Sequence, residues 1–327
     1  MKQRVLITGA SGFVGYHLIT EALKNGLEVF AAVRKSSKVD HLQNLGIRFT
    51  YLDYESPEAL KANFAENQYN YIIHAAGSLR ARTEEEYNHI NADYTYNLAK
   101  AAAESKSTIK FVMISSLAGI GPLDDINGVI TEANAPHPIT AYGKSKILAE
   151  QRLKSIQGLN YTILRPTAVY GPRDKDIFIF LKQVAKGFEP YIGKIEQKLT
   201  FIYVTDIAVA AIKALNAGDG ETYIIADGNA YTRYELGNLT KEILGVKTLK
   251  VHIPVTFVIL IAKIAEKIAS LSNKAPVINT EKLNELKAVN WSCSIDKAKR
   301  ELGFSPAYDL RAGLTSAFSW YKNNNWL

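Results

Sequence analysis

Three observations predict an α/β fold, with a doubly wound parallel sheet followed by a smaller, mostly helical C-terminal lobe. Short aliphatic runs alternate with helix-periodic segments along most of the chain, the pattern of parallel strands joined by crossover helices. The first aliphatic run leads directly into TGASGFVG, where Gly9, Gly12 and Gly15 recur every three residues and a helix follows. After about residue 231 the text turns helical, with proline breaks at Pro254, Pro276 and Pro306.

Each element has its own justification. RVLIT reads as a short buried strand, because Val5, Leu6 and Ile7 form an unbroken aliphatic run. In YHLITEALKNG, Leu18, Ile19, Ala22 and Leu23 fall at helical spacing, and Asn25-Gly26 ends the helix. The glycines therefore sit in a strand-to-helix turn. A side chain there would hold the backbone away from a pyrophosphate, and the helix start offers amides and a positive dipole end to that anion. TGxxGxxG is a variant of the dinucleotide fingerprint, which makes the fold Rossmann-type. It assigns Thr8, Gly9, Ser11, Gly12, Phe13, Val14 and Gly15 to the cofactor.

The next strand is LEVFAAVRKSS. Where an NAD site holds an acidic residue for the ribose 2′-hydroxyl, this chain has Arg34, followed by Lys35. Arginine cannot accept from a hydroxyl but pairs bidentately with a 2′-phosphate, so NADP is expected over NAD. A third strand, IRFTYLD, ends at Asp53, placed to meet the adenine edge. A fourth, YNYIIHAAG, ends in Ala75, Ala76 and Gly77, small enough for the backbone to lie along the cofactor ribose. His74 follows two isoleucines and reads as a satisfied core histidine.

TEEEYNHINADYTYNLAKAAAES reads as one long helix, KFVMISS as a strand, TAYGKSKILAEQRLKSI as a helix and YTILRP as the next strand. The alternation loosens after VYGPRD and returns to sheet-like text in FIYVTDIAVAAIKAL and ETYIIADG. The expected division is a dinucleotide-binding domain of residues 1–170 plus about 200–230, and a substrate lobe of 171–199 plus about 231–327, with the substrate cleft between them.

Composition narrows the function classes. The chain has 327 residues, 47% hydrophobic and 22% charged, an ordinary globular balance. The net charge of +7 is scattered rather than blocked, which suits anionic small molecules or an anionic membrane face better than nucleic acid. A single cysteine, Cys293, rules out an intramolecular disulfide and fits a reducing, cytoplasmic setting; with no histidine near it in sequence, it reads as a packed residue. No signal pattern and no run of about 18 apolar residues is present. The six histidines show no ligand spacing, so no metal is expected.

The chemistry is carried by SSLAGIGP and PITAYGKSKILAEQ. Tyr142 and Lys146 are four apart on a helix and share a face. A free phenol, with a pKa near ~10, is a poor base at neutral pH, and an ammonium one turn away should draw it toward the working range. A hydroxyl at the end of the neighbouring strand, Ser115 or Ser116, would hold a substrate oxygen against the phenol. Such a trio moves a proton on or off a carbinol oxygen while a nicotinamide moves the hydride.

Taken together, TGASGFVG, HAAG, HINADYTYNLAKAA, SSLAG, YGKSK, LRPTAVYGP, FIYVTDIA and KRELGFSP resemble the extended short-chain dehydrogenases/reductases of the NAD-dependent epimerase/dehydratase superfamily, over nearly the whole chain. The resemblance implies Tyr142 as acid/base, with Lys146 as its modulator and a ligand of the nicotinamide ribose. It also implies Ser116 as substrate-oxygen donor, Ser115 beside the cofactor, Asn91 supporting the site geometry, Pro166 and Val169 lining the nicotinamide pocket, and a homodimer.

Departures from the family pattern select among its members. Dehydratases carry an acidic pair where this chain has Leu117 and Ala118. Nucleotide-sugar epimerases place an arginine before the FIYVTD-like strand, where Leu199 and Thr200 stand here beside Lys198, and another upstream of the late LGF, where Trp291 stands. Arg173, Lys175 and Arg233 are the remaining cations for a diphosphate. NWSCSIDKAKRELGF resembles the dihydroflavonol reductase and 3β-hydroxysteroid dehydrogenase branch, whose substrates are apolar ketones and alcohols. In VTFVILIAKIAEKIASL, Ile261, Ile264, Ile268 and Leu271 form a stripe away from Lys263, Glu266 and Lys267. This segment reads first as a lobe-packing helix, and second as one that borders a greasy cleft or rests on a membrane through residues 255–271. The leading expectation is a reductase. A nucleotide-sugar epimerase working on bound NAD is the alternative, and a dinucleotide-sensing regulator ranks third.

Overall fold

The computed structural model of the chain describes residues 2–272 and 280–327, and the side chains of all of these except 265–272 and 280–282. Among them, seven strands form one parallel sheet. These are β1 (Arg4–Thr8), β2 (Glu28–Ala32), β3 (Arg48–Thr50), β4 (Tyr71–His74), β5 (Lys110–Ile114), β6 (Tyr161–Pro166) and an edge strand, Glu221–Ile225. Their spatial order is edge strand, β6, β5, β4, β1, β2, β3. The order reverses between β1 and β4, which pair in register from Val5 with Tyr71 to Thr8 with His74. In open α/β sheets the crevice at the carboxyl ends of such a strand pair is where ligands bind.

Strand alternation divides the core between the two faces. Val5, Ile7, Val29, Ala31, Ile73 and Val112 point to one side and pack with Leu18, Ile19 and Ala22 of α1 (Phe13–Lys24) and with the helix Val204–Lys213. Leu6, Phe30, Ile72, Phe111 and Met113 point to the other side, beneath α2 (Pro57–Asn67), α4 (Tyr94–Glu104) and α5 (Ala141–Lys154). A third apolar cluster joins Tyr170, Phe178, Leu181, Phe201, Tyr203, Leu310, Leu314 and Phe318 from the later segments.

Three sequence expectations are corrected. FIYVTDIAVAAIKAL is sheet-like only in Phe201–Tyr203; Val204–Lys213 is a helix, because its buried residues, Val204, Ile207, Ala208 and Ala211, follow the helical period. The long helix at residues 83–105 is interrupted: α3 (Glu84–Asn88) runs through one π turn, His89–Asp93, before α4. In the described part of the helix Val255–Ser272, the stripe is not packed inward. Ile261 and Ile264 are exposed with Phe257 and Leu260, while Ala262 is buried. The stripe residues Ile268 and Leu271, with Glu266 and Lys267, lie outside the described side chains, and Pro276 lies outside the described residues.

Candidate active site

The glycine turn lies in the crevice between β1 and β4, and its three glycines do different work. Gly9 has φ +67°, and a Cβ on it would stand 2.6 Å from the Ala75 carbonyl oxygen. A Cβ on Gly15 would stand 2.1 Å from the Gly9 carbonyl oxygen. Both glycines serve the folding of the loop itself. Gly12 is exposed, and a Cβ there would meet only the Gly9 oxygen, at 3.1 Å. Gly12 caps α1 with no side-chain cap, and the first turn of α1 carries no acidic residue. A bare, positively polarised helix start beside an open backbone fits a dinucleotide pyrophosphate.

Thr8 and His74 fasten the crevice floor. The Thr8 hydroxyl accepts from the Ala76 amide at 3.0 Å and lies 2.7 Å from His74 Nδ1. His74 Nε2 lies 2.9 Å from the Thr95 hydroxyl, whose one proton goes to the Asn91 carbonyl at 2.6 Å. This fixes the tautomer: Nε2–H donates to Thr95, and Nδ1 accepts from Thr8. Burial, helped by Lys146, pushes the imidazole down to about 3, so it stays neutral. His74 is the satisfied core histidine that the sequence predicts. Ser11, Phe13 and Val14 are half-buried around the turn. Arg34 and Lys35 lie exposed beyond β2 and make no ion pair among the described residues. Asp53 is exposed beyond β3, its carboxylate accepting from the Glu55 amide at 3.0 Å. Gly77 is exposed, Pro166 buried at the end of β6, and Val169 half-buried beyond it.

The candidate proton-handling residues, Tyr142 and Lys146, stand on α5. Thr140 caps this helix by accepting from the Gly143 amide at 3.1 Å. Tyr142 is half-buried in the first turn, and Ser116, after β5, is the neighbour that favours its ionised form. Lys146, one turn further on and buried, donates to the Ile114 carbonyl at 2.8 Å. Another turn on, Glu150 is buried against Arg165 in a two-bond pair of 2.9 and 2.5 Å. Glu150 also accepts from Ser115 at 2.5 Å. Of the two serines the sequence leaves open, Ser116 is therefore the phenol's neighbour, while the Ser115 hydroxyl is turned into the core.

The electrostatics differ from the sequence expectation. Burial pushes the Tyr142 phenol up to about 12, with Ser116 opposing and Glu285 and Tyr87 adding to the rise. Lys146 does not bring it down. Burial pulls Lys146 itself down to about 8, against the upward pull of Glu150. The reason is geometric: the Lys146 ammonium is engaged with a backbone carbonyl of β5, and both groups have lost much of their solvation.

Asn91 sits in the π turn, a feature that recurs at functional sites. It is buried, accepts from the Ser78 amide at 2.7 Å and donates to the Ser78 carbonyl at 3.1 Å and the Ser145 hydroxyl at 2.9 Å. Ser145 in turn donates to the Tyr142 carbonyl at 2.7 Å. Asn91 therefore ties the segment after β4 to the helix that carries Tyr142.

Two of the three cations left for a diphosphate are already engaged. Arg233 is buried, donates to the Ile192 and Ile195 carbonyls at 2.9 and 2.7 Å, and lies over the Tyr191 and Tyr234 rings. Arg173 lies 4.1 Å over the Tyr16 ring, and Lys175 is exposed. Cys293 is buried beside Thr200, and its thiol is pushed up to about 12 by that burial, as befits a packed residue. Sequence reasoning missed the Glu150–Arg165 pair, the Thr140 cap and Glu285. The spacing 142, 146, 150 held the signal for the first.

Comparison with known proteins supports the family and the fold. Residues 5–226 match the NAD dependent epimerase/dehydratase family. The chain is 26% identical over 329 residues to the ceramide reductase of Caulobacter vibrioides, covering 99% of this chain and 96% of that protein. It is 26% identical over 346 residues to the decarboxylating sterol-4-alpha-carboxylate 3-dehydrogenase of Candida albicans, covering 97% of each. Among solved structures, the UDP-glucose 4-epimerase of Thermotoga maritima with UDP-glucose superposes with a TM-score of 0.81 at 25% identity, covering 99% of this chain and 100% of that one.

Proposed function

The chain belongs to the NAD dependent epimerase/dehydratase family, as an oxidoreductase/epimerase of the short-chain dehydrogenase/reductase superfamily, and within it we propose an NADP-linked reductase of an apolar, lipid-like ketone. The observation that carries the reading is the half-buried Tyr142 one helical turn from the buried Lys146 on α5, with Ser116 favouring the ionised phenol.

A nicotinamide dinucleotide held by the glycine turn supplies the hydride. Tyr142 supplies the proton. With its phenol pushed up to about 12, it is fully protonated at neutral pH, as a general acid toward a carbonyl oxygen must be. The Ser116 hydroxyl fixes that oxygen against the phenol. Lys146, one turn further along the helix, would hold the nicotinamide ribose. Arg34 and Lys35, exposed and without an ion pair among the described residues, would hold a 2′-phosphate, which supports NADP. Segments 171–199 and 231–327 would supply the substrate side.

The substrate class rests on the residues that stand where a diphosphate arginine would and on an exposed apolar surface. Leu199 and Thr200 occupy the place of a diphosphate arginine, and Arg173 and Arg233 are engaged elsewhere. The exposed Phe257, Leu260, Ile261 and Ile264 support contact with a lipid phase. The names of the ceramide and sterol relatives agree.

The test is calorimetric binding of NADPH and NADH, followed by NADPH oxidation against ketones of graded polarity and against a nucleotide-sugar panel. Turnover is expected with apolar ketones, lost in Tyr142→Phe with cofactor binding intact, and Arg34→Asp should shift preference toward NADH. Interconversion of nucleotide sugars without net NADPH consumption would overturn the reading.

A further inference from the structure

We propose that one face of the small sheet formed by the strands Phe188–Ile192 and Leu249–Ile253, continued by Phe257, Leu260, Ile261 and Ile264 of the next helix, docks on an anionic lipid bilayer. The reaction plays no part in this docking. Its failure would leave the reductase reading untouched, and a chain that reduces no ketone can still dock.

The two strands pair in parallel, with Phe188 opposite Leu249, Pro190 opposite Val251 and Ile192 opposite Ile253. Strand alternation puts these six apolar residues on one face and Glu189, Tyr191, Lys250 and His252 on the other. The second face is covered. Glu189 and Tyr191 are buried, Lys241 and Thr248 donate to the Glu189 carboxylate, and the Tyr191 ring meets those of Phe180, Tyr234 and His252. The apolar face has no such cover. None of its six residues is buried, none joins an apolar cluster among the described residues, and Leu249 is 69% exposed.

The helix Val255–Ser272 starts where this face ends. The Gly193 amide donates to the Ile253 carbonyl at 2.8 Å, and a Cβ on Gly193 would stand 3.0 Å from Val255 Cγ2. Phe257, Leu260, Ile261 and Ile264 then follow at the spacing of one helical stripe, all exposed, Phe257 by 55%. Contiguous bare apolar surface of this kind marks an interaction site.

Charge selects the occupant. Residues 186–194 and 247–264 hold five lysines, Lys186, Lys194, Lys247, Lys250 and Lys263, all exposed. Their single acidic residue, Glu189, is fully buried on the covered face, and the next along the chain is Glu196, beyond Lys194. Lys250 reaches Glu189 at 3.9 Å; the other four lysines make no ion pair among the described residues. Lys186 and Lys247 stand just before the two strands, Lys194 just after the first, and Lys263 beside the helical stripe. Apolar side chains bordered by unpaired lysines match a bilayer with anionic headgroups: the apolar groups enter the acyl boundary, and the lysine stems reach back to phosphate. A second copy of this chain fits less well, because a symmetric pair would set these lysines against one another.

The full chain is sedimented with phosphatidylcholine vesicles, with and without phosphatidylglycerol, at low and high salt. Binding is expected to the anionic vesicles above the neutral ones, and it should weaken with salt. Lys186→Gln with Lys247→Gln should weaken it by about 10- to 30-fold. Leu249→Ser with Phe257→Ser should weaken it by about 10-fold or more, with the thermal midpoint of unfolding kept. Should the serine variant lose its fold, the lysine variant decides, since it alters only exposed side chains. A wild type that ignores anionic vesicles or binds both kinds equally, or a folded variant that binds as the wild type does, overturns the proposal. So does a chain that binds no vesicle but sediments in lipid-free ultracentrifugation as a dimer broken by the serine substitutions; that result gives the face to a second copy.

Discussion

Replacing Lys146 by methionine should make the protein more stable and inactive. The ammonium is buried, and its pKa falls from the usual 10.5 to about 8 on folding. At ~1.4 kcal/mol for each tenfold loss of proton affinity, the folded state carries a penalty of ~3 kcal/mol at pH 7, where the lysine is protonated whether the chain is folded or not. Methionine has a similar length and no charge. It forfeits the hydrogen bond to Ile114, worth ~1 kcal/mol, which leaves a net gain of ~2 kcal/mol. The sign follows from linkage. As pH rises through 8, the folded lysine releases its proton first, so the unfolded chain binds more protons and the wild type gains stability until about pH 10.5. Urea unfolding of both proteins at pH 7 and pH 10 measures this. The variant should lead by ~2 kcal/mol at pH 7 and be level by pH 10, with unchanged m. A variant no more stable at neutral pH, or a difference that ignores pH, would refute the reasoning that this charge is kept for chemistry at a cost in stability.

Three further outcomes follow from the same geometry. Gly15→Ala drives a Cβ to 2.1 Å from a backbone oxygen and should cost on the order of 3 kcal/mol or more in urea unfolding, whereas Gly12→Ala, meeting an oxygen at 3.1 Å, should keep near wild-type stability yet bind dinucleotide at least ~10-fold more weakly by calorimetry. Asn91→Ala removes three buried hydrogen bonds and should cost ~2–4 kcal/mol, with Asn91→Asp less damaging because a carboxylate still accepts from the Ser78 amide; equal losses would contradict the assigned bonds. Glu150→Gln leaves Arg165 buried without its partner, at a cost of ~3–5 kcal/mol, and withdraws the upward pull on Lys146, so the basic limb of the pH–rate profile should move below pH 8.

The strands and the glycine turn were legible because their determinants are local. Val5, Leu6 and Ile7 can only be a strand buried on both faces, and RVLIT is that strand to the residue. Tyr142 and Lys146 were readable for the same reason: helical spacing alone sets both on one face. The sequence could not show which way the described stripe residues Ile261 and Ile264 of the helix Val255–Ser272 would turn. A stripe has the same periodicity whether it is covered or bare, and only the neighbours decide. It also could not locate the π turn, because one extra residue in a helix leaves no compositional trace.

The harder lesson concerns the phenol. An ammonium four residues away on a helix suggests a depressed tyrosine pKa, yet the structure raises it to about 12. Proximity along a helix fixes direction, whereas proton affinity follows from solvation, and solvation is set by residues far off in sequence. Ile114 draws the ammonium from 32 residues away, and Glu285 adds its charge from a helix at the other end of the chain. The two shifts oppose each other: the phenol holds its proton more tightly, while the lysine beside it gives its own up more readily. A phenol that keeps its proton at neutral pH can serve as a general acid toward a carbonyl oxygen, the role that the proposed reduction asks of it.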